Sequence, residues 1–195
     1  YGGQGLPWTL SIALSEIWQS ANMSLANAWM LTQGAVEAIR EHGTPAQKAT
    51  FLPKLISGEW SGTMNLTEPN AGSDVGALRT KAVAENGAWR ITGTKIFITH
   101  GDQDMSENVV HLVLARTPNA PQGTRGISLF VVPKILVNSE GELEQRNDLR
   151  VVSLEHKLGH MASPTAVMSY GDNEGAIGYL LGDENQGMAC MFTMM

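Results

Sequence analysis

Apolar positions in the first 57 residues recur at helical spacing, whereas later ones come in short alternating runs. Leu10, Ala13, Leu14, Ile17 and Trp18 share one side of a 3.6-residue repeat, with Thr9 placed to cap it. A second helix is expected from about Ser24 to His42, carrying Trp29, Val36 and Ile39, with Gly43 in the position that ends helices. Thr44-Pro45 reads as the cap and first residue of a third, which holds Phe51, Leu52, Leu55 and Ile56 and stops at Gly58. Pro53 inside it is expected to kink it or loosen its first turns.

After Trp60 the period changes. The runs at 89–99, 109–115, 126–133, 150–156 and 165–171 are rich in β-branched and aromatic residues, and Gly, Pro, Asn and Asp separate them. Asn-Gly within 85–89 marks a tight hairpin. Residues 138–148 are polar and predict an exposed loop, and from Glu184 the pattern turns helical again. Helices followed by a block of strands predict an α+β chain with an antiparallel barrel or sandwich, not a doubly wound sheet.

Composition narrows the class of partner. The 195 residues carry a formal charge of −6, which argues against nucleic-acid phosphate or an anionic membrane surface. A lone cysteine, Cys190, excludes an internal disulfide and suits a reducing compartment. No apolar stretch approaches the ~20 residues of a membrane helix. The start has no basic stretch followed by an apolar run and no methionine, so it is not expected to be a signal peptide, and the end falls inside an apolar stretch. The expectation is a piece of a longer protein.

Chemistry concentrates in two places. In 65–76, "NLTEPNAGSDVG", Asn70, Gly72 and Gly76 permit positive φ, so that successive N–H groups can converge on an anion, while Thr67 and Ser73 add hydroxyls. The plainer reading is a strand-to-helix connection with Ser73 and Asp74 capping a short turn. In 95–99, "KIFIT", alternation puts Ile96 and Ile98 on one face and Lys95, Phe97 and Thr99 on the other. An aromatic beside a hydroxyl there can hold a planar ring, or belong to an ordinary half-buried strand. His100, Asp102, Asp104 and Glu107 lack metal-site spacing and read as a solvated loop, and His156 and His160 read as structural. The methionines after Gly187 read as core filler on a helix face. Neither a G-x-G-x-x-G after a strand nor a Walker loop is present.

"LTEPNAGSD", "WRITGTKIFIT", "GISLFVVPK" and "HKLGHMASPTAVM", in that order, resemble the middle region of the acyl-CoA dehydrogenases. "YGGQGLP" and "HGTPAQKATFLPKLISGEW" extend the resemblance towards the start of the chain. The polar excursion after 137 and the ending "GDENQGMACMFTMM" are most similar to the bacterial branch that includes methylmercaptopropionyl-CoA dehydrogenases.

The resemblance implies three parts: the end of an N-terminal helical domain (1–58), a flavin-binding β domain (59–172) and the start of a C-terminal helical domain (173–195). It implies FAD, an acyl-CoA substrate oxidised to the trans-2-enoyl-CoA, an electron-transfer flavoprotein as acceptor, a cytoplasmic bacterial enzyme and a homodimer or homotetramer. Met64, Leu66, Thr67, Gly72 and Ser73 match the stretch that lines the flavin, with Thr67 at the pyrimidine end and Ser73 reaching both the cofactor phosphate and the acyl-CoA. Phe97, Ile98 and Thr99 match the second flavin run, with the Thr99 hydroxyl near N5 and Phe97 where the family has tryptophan. The family's glutamate base matches no residue here, Glu68 and Glu155 included, so the resemblance puts it beyond this chain and leaves the chain inactive alone. An acyl-CoA oxidase or flavin monooxygenase would share these motifs, and a non-catalytic scaffold is the alternative of another class.

Overall fold

The computed structural model describes residues 4–195, so part of the "YGGQGLP" match lies outside the described residues. Helix α1 (Trp8–His42) starts after Pro7 instead of at a Thr9 cap, and it breaks at Asn22, whose φ of −158° and ψ of 93° are not helical. The Asn22 Oδ1 accepts from the Leu25 amide at 3.0 Å, so the break is also the cap of the second half. The two halves differ in packing. Leu10, Leu14, Ile17 and Trp18 are exposed, whereas Ala28, Ala35, Ala38 and Ile39 are buried. Helix α2 (Pro45–Ser57) is opened by a full capping box between Thr44 and Gln47 and continues past Pro53.

The strands are β1 (Trp60–Asn65), β2 (Lys81–Glu85), β3 (Ala88–Thr99), β4 (Asn108–Ala115), β5 (Ser128–Pro133), β6 (Ile135–Val137), β7 (Leu143–Arg146), β8 (Leu149–Leu154), β9 (Thr165–Tyr170) and β10 (Ala176–Leu181). A short helix, α3 (Gly187–Met194), follows. The main sheet runs β1-β4-β5-β10-β3-β9-β8, with β2 paired to β3 beside this path. It is mixed and not purely antiparallel, because β1 lies parallel to β4, Trp60 opposite Asn108 through Asn65 opposite Val113. The β2–β3 turn has Asn86 at φ 51° and Gly87 at φ 80°, the left-handed pair that a two-residue hairpin of the right twist needs. The polar excursion is not all loop: β6 and β7 pair across it, leaving 138–142 as its tip.

Both faces of the central strands are covered. Leu112, Leu114, Leu129 and Val131 pack with Ile39, Leu52, Trp60 and Met191 on the helical side. Val113, Phe130 and Val132 pack with Ile91, Ile98, Met168 and Tyr170 on the other. This is why β4 reads as a continuous apolar run. Gly62 lets α1 press onto β1: a Cβ there would lie 2.4 Å from the Ala35 Cβ. The sheet also curls. Although three strands separate β1 from β3 in its order, the Thr63 hydroxyl donates to the Thr99 carbonyl at 2.7 Å.

Candidate functional site

The curl brings the two chemistry-bearing segments together. Beyond β1, Glu68 and Ala71 exchange both backbone hydrogen bonds at 3.0 Å, closing a turn over Pro69 and Asn70. The Asn70 amide group donates to the Ala77 carbonyl at 2.8 Å, fastening this turn to a single 3-10 turn at Val75–Ala77. Asn70, Gly72 and Gly76 do not take positive φ, so the anion nest expected of them does not form from left-handed residues. Asp74 precedes the 3-10 turn without capping it through its side chain. Gly72 and Ser73 are exposed, and a Cβ on Gly72 would meet nothing within 4 Å. Neither backbone angle nor packing among the described residues requires a glycine at 72; a ligand lying against the backbone would.

On β3 the strict alternation fails. Lys95 pairs with Met168 and Ile98 with Ala166, so Ile96 and Phe97 together face Val167. This is a bulge, and Phe97 absorbs it at φ 60°. The extra residue turns Lys95 and Ile98 to the same side, where they are 0% and 2% exposed, and leaves the Phe97 ring 57% exposed. Phe97, and not its neighbours, is the aromatic surface available to a ligand. Ile98 can reach one only through its backbone. Thr99 is half-buried, as are Met64, Leu66 and Thr67.

Three consecutive residues of the first segment are bonded to two of the second. The buried Lys95 ammonium donates to the Leu66 carbonyl at 2.9 Å and to Glu68 Oε1 at 2.8 Å, and the Ile96 amide donates to the Thr67 carbonyl at 2.9 Å. Glu68, only 4% exposed, also accepts from the Arg79 amide at 2.6 Å, the Thr80 amide at 3.0 Å and the Thr80 hydroxyl at 2.5 Å. Burial opposes its charge, but the Lys95 ammonium and these donors hold its pKa below the usual carboxylate value. Burial outweighs the attraction of Glu68 for Lys95 and pushes the ammonium down to about 8.

The side-chain hydroxyls of Thr67, Ser73 and Thr99 make no hydrogen bond among the described residues. They border the turn and the bulge with donor capacity unused, which suits a polar ring and a phosphate. Met64 also lines a cavity of about 500 Å³ with Trp8, Met30, Leu31, Gly34 and Met194.

Three polar residues near this site were not singled out by pattern. Lys95 read as sharing a face with Phe97 and Thr99, and Glu68 only as an acid. His111 is fully buried in β4, where its Nδ1 lies 2.9 Å from the Tyr170 hydroxyl, which donates to Asn65 Oδ1 at 2.8 Å. A lone histidine inside an apolar run was the available signal. The loop is solvated only in part: Asp104 and Glu107 are exposed, but His100 is buried and Asp102 pairs with Lys134 at 2.5 Å and Arg146 at 2.9 Å. His160 Nδ1 lies 3.1 Å from the Asn27 side-chain amide. Met191 and Met194 are buried, as core filler should be.

Sequence comparison places the geometry in a family. Residues 63–172 match the middle-domain model of the acyl-CoA dehydrogenases, and residues 1–59 match the N-terminal-domain model. The chain belongs to the acyl-CoA dehydrogenase family. It is 59% identical to the 3-methylmercaptopropionyl-CoA dehydrogenase of Ruegeria pomeroyi over all of this chain and 33% of that one. The chain therefore spans about a third of that relative's length. The acyl-CoA dehydrogenase structure from Geobacillus kaustophilus matches with a TM-score of 0.80 at 27% identity, over 100% of this chain and 48% of that one. A chain solved in work on the electron transferring flavoprotein of Acidaminococcus fermentans matches at 30% identity and TM-score 0.65, covering 82% of this chain and 38% of its own.

Proposed function

We propose that this chain is the flavin-facing part of an FAD-dependent acyl-CoA dehydrogenase that converts an acyl-CoA thioester to its trans-2-enoyl-CoA. The observation that carries the reading is the junction of the 66–73 turn with the β3 bulge. It joins two segments that carry an exposed aromatic and three hydroxyls without a hydrogen bond among the described residues. FAD, when bound, supplies the acceptor for a hydride leaving the substrate's β carbon. Thr67 would donate to the pyrimidine end of the ring, Phe97 would lie against it, and the Thr99 hydroxyl would be the donor near N5 that favours charge developing there. Ser73, exposed at the turn, donates to phosphate and to the bound thioester, and Gly72 lets the ligand approach the backbone. Met64 and Leu66 supply apolar contact along the same stretch.

The proton on the α carbon needs a positioned base, and such groups contribute roughly 10²–10⁴-fold. Glu68 is unsuited to that role because all its capacity is spent on Lys95, Arg79 and Thr80. The base is assigned, as the family resemblance implies, to the part of the protein beyond this chain. An electron-transfer flavoprotein as acceptor, a homo-oligomer and a cytoplasmic setting complete the proposal. Among the described residues no helix is long and apolar enough to cross a membrane.

The test is the complete protein's visible spectrum. A flavin band that bleaches anaerobically on adding butyryl-CoA or 3-methylmercaptopropionyl-CoA, with enoyl-CoA formed in equal amount, is the expected result. Absence of flavin, or a bound flavin that no acyl-CoA reduces, would overturn the reading.

A further inference from the structure

Thr67 is the one residue of the turn whose two neighbours and own backbone are all tied to β3. The Leu66 carbonyl before it and the Glu68 carboxylate after it both accept from the single Lys95 ammonium, at 2.9 and 2.8 Å. The Thr67 carbonyl accepts from Ile96, the next residue of β3, at 2.9 Å. Lys95 is fully buried, and the bulge that follows it turns out Phe97 and sets Thr99.

From this juxtaposition we propose that Lys95, seated on Glu68, is a positioning residue for the flavin site, fixing the Thr67 hydroxyl relative to Phe97 and Thr99. The proposal rests on the function proposed above. Lys95 itself touches no ligand: its head group points under the turn, into the Leu66 carbonyl and Glu68.

A buried ion pair is a costly fastener. Both charges lose hydration, and an apolar pair of similar volume commonly serves stability as well. What the apolar pair lacks is direction. An ammonium that must reach one carbonyl and one carboxylate oxygen sets the register of the turn over the strand, and misplacement of about 1 Å in a reactive site can cost about 10²-fold in rate. Glu68 is positioned in turn by the Arg79 and Thr80 amides and the Thr80 hydroxyl, so the arrangement is anchored on both sides.

Removing Lys95 alone would strand a buried carboxylate, so the test uses the double variant Lys95→Met with Glu68→Gln in the complete protein. The introduced glutamine keeps an oxygen for the Thr80 amide and hydroxyl but gives up the acceptor of the Arg79 amide, and the introduced methionine keeps the volume. The expected result is a folded protein with a moderately lowered thermal midpoint, for the bonds lost at Arg79 and Leu66, together with FAD dissociation at least about tenfold faster and a displaced visible flavin band, as a misplaced hydroxyl would cause. Reduction by acyl-CoA should slow while KM for the thioester changes little. A lowered midpoint with unchanged FAD dissociation, band and reduction rate would mean a purely structural pair and would overturn the proposal. If the double variant does not accumulate folded, Thr80→Val, which removes one donor to Glu68 and leaves both charges, should shift the band and dissociation in the same direction by less. No shift there overturns it as well. A wild-type protein that binds no FAD removes the functional reading itself, which separates the two failures.

Discussion

Replacing Phe97 by glycine separates the backbone strain of the bulge from the contact made by the ring. The residue sits at φ 60°, a left-handed conformation that costs a non-glycine residue roughly 1–2 kcal/mol. Glycine recovers this but gives up about 0.5–1 kcal/mol through its freer unfolded chain. The ring is 57% exposed, so the lost burial is about 1 kcal/mol, less than half of the roughly 1.5–3 kcal/mol for a fully buried side chain. These contributions leave Phe97→Gly within about 1 kcal/mol of wild type, where a core phenylalanine cut to alanine would cost about 3–5 kcal/mol. Phe97→Ala loses the ring but keeps the backbone penalty, so glycine should be the more stable of the two, the reverse of the usual order in a strand. Ring contact with a flavin is worth about 0.5–1.5 kcal/mol, so both variants should bind FAD roughly two- to tenfold more weakly. Thermal midpoints of the apoprotein and FAD titration of the complete protein measure the two effects. An alanine variant more stable than the glycine variant would refute the bulge. Unchanged FAD affinity would refute the placement of the ring.

Three further outcomes are expected. Ser73→Ala should weaken binding of FAD or acyl-CoA by about 1.5–3 kcal/mol while slowing reduction less, measured by titration and single-turnover kinetics. Unchanged affinity for both ligands would show that Ser73 meets neither. Thr99→Val keeps the branched shape and should slow flavin reduction roughly five- to a hundredfold in anaerobic stopped-flow, for loss of a donor worth about 1–3 kcal/mol. Equal rates with FAD bound would turn the Thr99 hydroxyl away from N5. His111 is held neutral by burial, its pKa down at about 3. Its folded pKa lies below the unfolded value of 6.5, so the unfolded chain takes up a proton that the folded one refuses, and stability falls as pH drops from about 6.5 towards 3. At pH 5 the loss is about 2 kcal/mol relative to pH 7.5, and His111→Gln should remove that part of the acid slope in midpoints taken at both pH values.

Local signals in the sequence carried local structure faithfully. Asn86-Gly87 formed the hairpin, and Thr44-Pro45 opened α2, because cap and turn chemistry act within a few residues. Features that depend on distant neighbours were not legible. Strand β1, "WSGTMN", has little β-branched content and exists because β4 pairs beside it and α1 closes over Gly62. The bulge at Phe97 inserts one residue against β9, and nothing in "KIFIT" marks it, so period-2 reasoning put Lys95 on the wrong face. The motifs nevertheless pointed to two segments that the fold bonds together. What they hid was the connection between them, Lys95 to Leu66 and Glu68, since a lysine's burial shows only when its partner carboxylate is known.

The central claim is that Thr67 and Thr99, joined through Lys95, face one flavin ring. It is tested most directly by a crystal structure of the complete protein with FAD bound. The ring is expected against Phe97, with its pyrimidine end within hydrogen-bond distance of the Thr67 hydroxyl and its N5 edge beside Thr99. A flavin seated elsewhere on the molecule, or one that leaves both hydroxyls without a ligand contact, would contradict it.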